Sequence, residues 1–139
     1  ANTGVKAATI FRTNTKQGNV SLVVKNCTFY NLFSGEALMR DIIGGTNSFT
    51  AENILFAGSG SVKIFNKTSD APGIINGSKI YSSSDLTVAN AGEVSTTALS
   101  YSSSQLFPNA SSSTDVLDLT FGADIPNEVK IIGDPRWNK

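Results

Sequence analysis

An asparagine followed three places later by a phenylalanine occurs twice in similar surroundings. The two copies are Val23-Val24-Lys25-Asn26-Cys27-Thr28-Phe29-Tyr30-Asn31 and Thr50-Ala51-Glu52-Asn53-Ile54-Leu55-Phe56-Ala57-Gly58. A weaker third copy is Ile74-Ile75-Asn76-Gly77-Ser78-Lys79-Ile80-Tyr81, and the three asparagines lie 27 and then 23 residues apart. A repeat on this scale marks a chain whose units cannot bury an apolar face alone and stack on one another to do so.

The texture between the copies is that of strands and turns. Thr9 to Arg12 reads as a first short strand, ended by the polar turn Asn14 to Asn19. In Val20 to Tyr30, Val20, Leu22 and Val24 alternate with Ser21, Val23 and Lys25, the period of a strand with one buried face. Asn26 breaks that run and Cys27-Thr28-Phe29 resumes it. A polar residue there suits a sharp bend, and equivalent residues stacked over successive turns of chain would form a ladder of amides.

Long extended segments (Val20 to Tyr30, Ser48 to Phe56, Gly73 to Tyr81) thus alternate with short ones (Thr9 to Arg12, Leu38 to Ile43, Val62 to Phe65, Leu86 to Val88). The good helix formers Glu36 to Arg40 leave a helix over Gly35 to Ile43 as an alternative to the short strand there. A chain wound this way pairs each strand with its equivalent one turn away, which predicts an all-β fold, a right-handed parallel β-helix of few coils with Phe29, Phe56 and Tyr81 stacked. The competitor is an antiparallel sandwich or jelly roll, which does not require the Asn-x-x-Phe recurrence.

From Ala89 onward aliphatic residues thin out among three serine triplets, Ser82-Ser83-Ser84, Ser102-Ser103-Ser104 and Ser111-Ser112-Ser113. Ala91 to Thr114 reads as irregular loop. Val116 to Phe121 alternates as a late strand, and Pro135 and Trp137 suit a cap over the open end of the stack, where unpaired backbone would template aggregation. The expected organisation is one domain, with β-helix coils over 1–90 and a loop plus C-terminal strand and cap over 91–139.

Composition narrows the function classes. Lys plus Arg equals Asp plus Glu at 11 each, so no global field draws nucleic acid or an anionic membrane. No stretch reaches the roughly 18 apolar residues of a membrane span. Ala1-Asn2-Thr3-Gly4 is not a signal peptide, and the abrupt start reads as part of a longer chain. Cys27 is the single cysteine, which excludes an internal disulfide and a cysteine-based zinc cluster, and it reads as a small buried hydrophobe. There is no histidine, which removes Ser-His-Asp, Cys-His and His-metal chemistry. Gly58-Ser59-Gly60-Ser61 is a turn, without the lysine of a phosphate-binding loop.

A uronate lyase remains open without histidine, since Arg or Lys can take the proton alpha to a carboxylate while calcium acidifies it. The candidate bases are Arg12, Arg40 and Lys63, with Glu36, Asp41 and Glu52 as carboxylates, and calcium would be a cofactor in this alternative alone. Against it, adjacent Arg40 and Asp41 point to opposite faces of a strand, and no acidic cluster recurs on one face. For sugar stacking the flat aromatics are Tyr30, Tyr81, Tyr101 and Trp137, each of which also suits core or cap packing. Asn26, Asn53 and Asn76 read as turn ladder, and Asp115, Asp118 and Asp124 as surface.

The ending Ile132-Gly133-Asp134-Pro135-Arg136-Trp137, with coils like Asn26-Cys27-Thr28-Phe29-Tyr30-Asn31 and a late Leu117-Asp118-Leu119-Thr120, resembles the C-terminal β-helix domain of extracellular, surface lipoprotein-type proteins of Bacteroides-type bacteria. Those proteins belong to the pectate-lyase-like superfamily and are often associated with polysaccharide utilisation. Many of them carry a compact Asp-Pro/Gly-Asp-Phe turn before the late strand, where this chain has Phe107-Pro108-Asn109-Ala110. The resemblance implies a secreted or outer-membrane surface, glycan-associated β-helix and does not imply lyase activity; the leading expectation is a non-catalytic module that contacts a polysaccharide or cell-surface glycan or serves as a structural part of a surface protein. A uronate lyase and an adhesin-like protein-interaction module are the alternatives, because a fold does not set an activity.

Overall fold

The protein is described from a computed structural model covering residues 9–12, 20–32, 37–40, 47–66, 74–89, 94–110 and 117–138, with side chains at 9, 12, 37, 39, 40, 65, 66, 74 and 75 outside the description. Eight strands are present among them: β1 (Thr9–Arg12), β2 (Ser21–Tyr30), β3 (Ala37–Arg40), β4 (Ser48–Ala57), β5 (Gly60–Asn66), β6 (Ile74–Ser82), β7 (Leu86–Ala89) and β8 (Thr97–Ala98). The odd-numbered strands form one sheet in the order β1-β3-β5-β7, and the even-numbered strands form a second in the order β2-β4-β6-β8. Every pairing is parallel, which an antiparallel sandwich or jelly roll does not have. The chain therefore passes from one sheet to the other after each strand, and each strand pairs with the one two places on. Residues 37–40 are strand rather than helix because β3 pairs on both sides, with β1 and with β5, and those pairings override local helix preference.

The even-numbered sheet shows why the asparagines recur. Asn26, Asn53 and Lys79 all have left-handed backbone, with φ of 52°, 54° and 53°. In the parallel register they fall on one rung, between the pairs Lys25↔Glu52↔Ser78 and Cys27↔Ile54↔Ile80. A single left-handed residue bends the strand and resets its alternation. Phe49 and Ala51 face the first core before the bend, and Ile54 and Phe56 face it afterwards. Leu22 and Val24 are followed in the same way by Cys27 and Phe29. Phe29 and Phe56 are in register and stacked, their centroids 5.4 Å apart and their planes 21° off parallel. Burying Phe56 completely contributes about 1.5–3 kcal/mol.

Two sequence expectations fail at the third copy. Asn76 pairs with Thr50, not with Asn53, and Lys79 holds the third left-handed position. Tyr81 pairs with Leu55, while Ser82 stands opposite Phe56, so Tyr81 lies on the other face of the sheet from the phenylalanine stack. The spacing misled because the bend requires a residue that tolerates positive φ, and lysine fills the place where asparagine is favoured.

A second bend closes the same strands. Asn31 has φ of 52° and Gly58 of 148°, and a Cβ on Gly58 would lie 2.9 Å from Asn31 Oδ1. Ser83, fully buried, donates from Oγ to the Gly58 carbonyl and accepts from the Gly58 N–H.

The outer face of the even-numbered sheet is covered as well. Leu55 and Ala57 join Leu106, Phe107, Ala110, Leu119, Phe121, Ile125, Val129 and Ile132 in a second core. The expected loop over 91–114 is ordered where it is described: Val94 enters the first core and β8 extends the even-numbered sheet. Helix α1 (Ser103–Leu106) begins at a capping box in which Ser102 and Gln105 satisfy each other's backbone N–H groups. The Ser103 N–H and Oγ donate to Asp85 over 2.8 and 2.6 Å, tying α1 to the turn before β7. The expected late strand joins neither sheet over its described residues 117–121, although Leu119 and Phe121 alternate into the second core. Helix α2 (Asn127–Lys130) and a 3₁₀ turn, Pro135–Trp137, follow. Trp137 packs against the second core. The turn Asn14 to Asn19, the segment after Arg40 and the serines at 111–113 lie outside the described residues.

Candidate functional site

The tail is held to the outer face at the first bend. Asn53 Nδ2 donates to Asn26 Oδ1 over 2.9 Å and points toward the carbonyls of Ile131 and Gly133, while its Oδ1 accepts from the Gly133 N–H over 3.3 Å. The Asp134 N–H donates to Thr28 Oγ1 over 3.0 Å. Gly133 approaches so closely that a Cβ would collide with Thr28 Oγ1 and sit 3.1 Å from Leu55 Cβ. Asp134 caps the 3₁₀ turn, accepting from the Arg136 backbone N–H and from its guanidinium, and these bonds hold its carboxyl below the ordinary range. Burial, with the nearby Asp134 carboxylate, pushes the Cys27 thiol up, which suits a packing role.

All four aromatics named for sugar stacking reach this side of the molecule. Tyr30, Tyr81, Tyr101 and Trp137 pack against the second core, Tyr30 edge-on to Phe107 with centroids 6.0 Å apart. Tyr101 and Tyr81 also line surface clefts, whereas Tyr30 and Trp137 line neither.

The first cleft, about 300 Å³, lies between α1 and the turn at 122–125. Tyr101, Pro108, Ala123 and Ile125 give it an apolar wall, and Ser104, Gln105 and Asp124 give it polar atoms. Its floor depends on Gly122, whose N–H donates to the Leu106 carbonyl over 2.9 Å and whose Cβ, were there one, would lie 2.7 Å from the Gln105 carbonyl. The Gln105 Oε1 accepts from the Ser102 N–H at 2.8 Å and from its Oγ at 3.1 Å, which fixes the amide. Among the described residues, the Gln105 Nε2, the Tyr101 hydroxyl and the exposed Asp124 carboxylate have no protein partner. A flat ring, an amide donor and a carboxylate acceptor on one concave surface can bind a small polyhydroxylated ligand.

The second cleft, about 270 Å³, is bordered by Asn26, Glu52, Asn53, Lys79, Tyr81, Glu128, Ile131 and Ile132. Half of its polar side chains are committed: Glu52 pairs with Lys25 on the neighbouring strand at 2.5 Å, which lowers its pKa, and the two asparagines hold the tail, while Lys79, Tyr81 and Glu128 bond to no other described side chain.

Of the residues named for lyase chemistry, Lys63 and Glu52 are the two whose side chains are described, and they stand on different sheets. Arg12 and Arg40 are register partners, but Arg40 next pairs with Asn66, while Lys63 pairs with Ala37 and Ala89. Lys63 is exposed on the odd-numbered sheet, whereas Glu52 belongs to the even-numbered one. Glu36 and Asp41 lie outside the described residues, as do the side chains of Arg12 and Arg40. Among the described residues no three of Cys, Asp and Glu stand close enough to hold a metal ion.

Sequence reasoning named Tyr101 but missed Gln105 and treated Asp124 as plain surface. The S-x-x-Q spacing of Ser102 to Gln105 was the available signal for α1, because it is the signature of a capping box. Nothing local places Asp124 opposite it. No described helix is long and apolar enough to cross a membrane. Compared with known protein families, curated proteins and solved structures, the chain matches none.

Proposed function

We propose that this chain is a parallel β-helix module of the pectate-lyase-like kind, placed outside the cell, that binds glycan through the cleft beside Tyr101 and performs no chemistry on it. The alternation of parallel strands between two sheets supports the β-helix reading, and the Ile132 to Trp137 ending supports the family and its location. The observation that carries the function is the cleft itself, where the Tyr101 ring forms part of the wall and the Gln105 Nε2 and the Asp124 carboxylate have no hydrogen-bond partner among the described residues. Among the described residues no comparable grouping surrounds Lys63, and the Arg40 side chain lies outside the description.

The test is retardation in affinity gels containing a panel of plant and microbial polysaccharides, alongside absorbance near 235 nm, where the unsaturated product of uronate cleavage absorbs. Retardation by a subset of glycans, weakened in Tyr101→Ala without loss of fold, is the expected result. A calcium-dependent rise in absorbance abolished in Arg40→Ala would overturn the reading in favour of a lyase. Silence in both assays would remove glycan binding and leave a protein-contact or structural role.

A further inference from the structure

The cleft beside Tyr101 also discriminates ligands by charge, an inference that rests on the binding reading above. Of its eight lining residues, Asp124 is the one carboxylate, and no Lys or Arg accompanies it. The Gln105 amide cannot swing to offer its oxygen, because Oε1 is occupied by two bonds from Ser102 and its rotation would break the capping box. Nε2 is therefore the amide atom left for a ligand, as a donor. The polar set is one amide donor, one carboxylate acceptor, one phenol that does both, and the Ser104 hydroxyl, which shares a hydrogen bond with Ser102 Oγ at 3.1 Å.

Two neighbouring hydroxyls of a pyranose match that set: one donates to Asp124 while the other accepts from Gln105, and the ring's C–H face covers Tyr101. A sugar carboxylate finds the single amide donor but also meets Asp124 with no compensating cation. Like charges a few ångströms apart at an exposed site repel by enough to weaken binding roughly three- to tenfold, more at low salt. The volume of about 300 Å³ is at the small end for ligand sites, which suits a short sugar segment over a long chain. We propose that this cleft selects uncharged pyranose sugars with a vicinal diol and discriminates against uronates.

The experiment is titration calorimetry, with amide NMR shifts as a second readout, using matched oligosaccharides that differ only at C6: galacto- against galacturono-oligosaccharides, and gluco- against glucurono-oligosaccharides. Each is titrated into the full chain and into Asp124→Asn, at low and at moderate salt. Asp124 is exposed and bonded to nothing else among the described residues, so the variant keeps the fold. The expected result is neutral sugars binding three- to tenfold more tightly than their uronates, with that ratio falling toward one in Asp124→Asn and shifts centred on Tyr101, Gly122 and Ala123. Uronates binding as tightly as the neutral partners, or a ratio unchanged by Asp124→Asn, would overturn charge selection while leaving the binding site standing. Absence of binding by every neutral and acidic sugar would overturn both.

Discussion

Asn53 reaches from β4 to Asn26 on the adjacent β2, amide nitrogen to amide oxygen over 2.9 Å, while both residues hold left-handed backbone near φ of 53°. The same Asn53 side chain receives the Gly133 N–H. One residue thus sets the bend in β4, bonds the equivalent bend in β2 and holds the tail. Replacing it by alanine removes the hydrogen bonds and places a Cβ-bearing residue without a local polar partner in the left-handed region. Asn53→Ala is expected to lose about 2 kcal/mol of stability by urea denaturation, and Asn53→Gly, which relieves the backbone strain alone, to lose less. Equal losses would show that the bend contributes nothing and the amide everything.

Lys79 offers the converse substitution. It holds φ of 53° on the same rung, with an exposed side chain. Lys79→Asn supplies a residue tolerant of that backbone and a third amide next to Asn53, for an expected gain of about 0.5–1 kcal/mol, a rise in melting temperature of roughly 2–4 °C. A lower melting temperature in Lys79→Asn would contradict the ladder.

The stacked pair Phe29 and Phe56 ties two strands through the first core. Phe56→Ala is expected to cost about 3–5 kcal/mol, and Phe56→Asp to prevent folding, because an unpaired charge would be buried as well. Circular dichroism melting decides it: an aspartate variant with a wild-type transition would refute the packing.

Tail docking can be weakened from a distance. Gly133 sits at φ of +79° against Thr28 and Leu55, so Gly133→Ala combines backbone strain with a collision. The expected outcome is a loss of about 2 kcal/mol and faster proteolysis after Ile132, with the Asp134 amide, which donates to Thr28 Oγ1, losing hydrogen-exchange protection. Unchanged cleavage would mean that the tail is not held at this point.

Asp85 should shape the acid limb of stability. Burial raises its pKa, but bonds from the Ser103 and Ser83 hydroxyls and from backbone N–H groups outweigh that and leave it below its ordinary 3.8. A carboxylate whose pKa is depressed in the folded state stabilises the fold above the unfolded value, and that contribution is lost as pH falls from about 4 through the folded pKa. Asp134, held down by Arg136, acts in the same direction. Asp85→Asn is therefore expected to flatten the decline in melting temperature below pH 4; an unaltered slope would show that Asp85 is not a source of it.

Much of the strand order was written in the chain itself. The alternation in Val20 to Val24, the break at Asn26 and its return at Asn53 are local patterns, and they place β2 against β4 in the observed register. They work because side-chain period and backbone preference depend on neighbours in sequence. Tertiary structure alone decided the third rung, where lysine takes the bend and Asn76 moves three places off it. It also decided the second core, since Asp134 finds Thr28 across 106 residues and Gly133 finds Asn53 across 80. The cleft beside Tyr101 arises the same way, from a helix of four residues and a turn brought together by Gly122. A residue pattern records which face of a strand is apolar, but which distant segment covers that face depends on shape and packing that no short window of sequence contains.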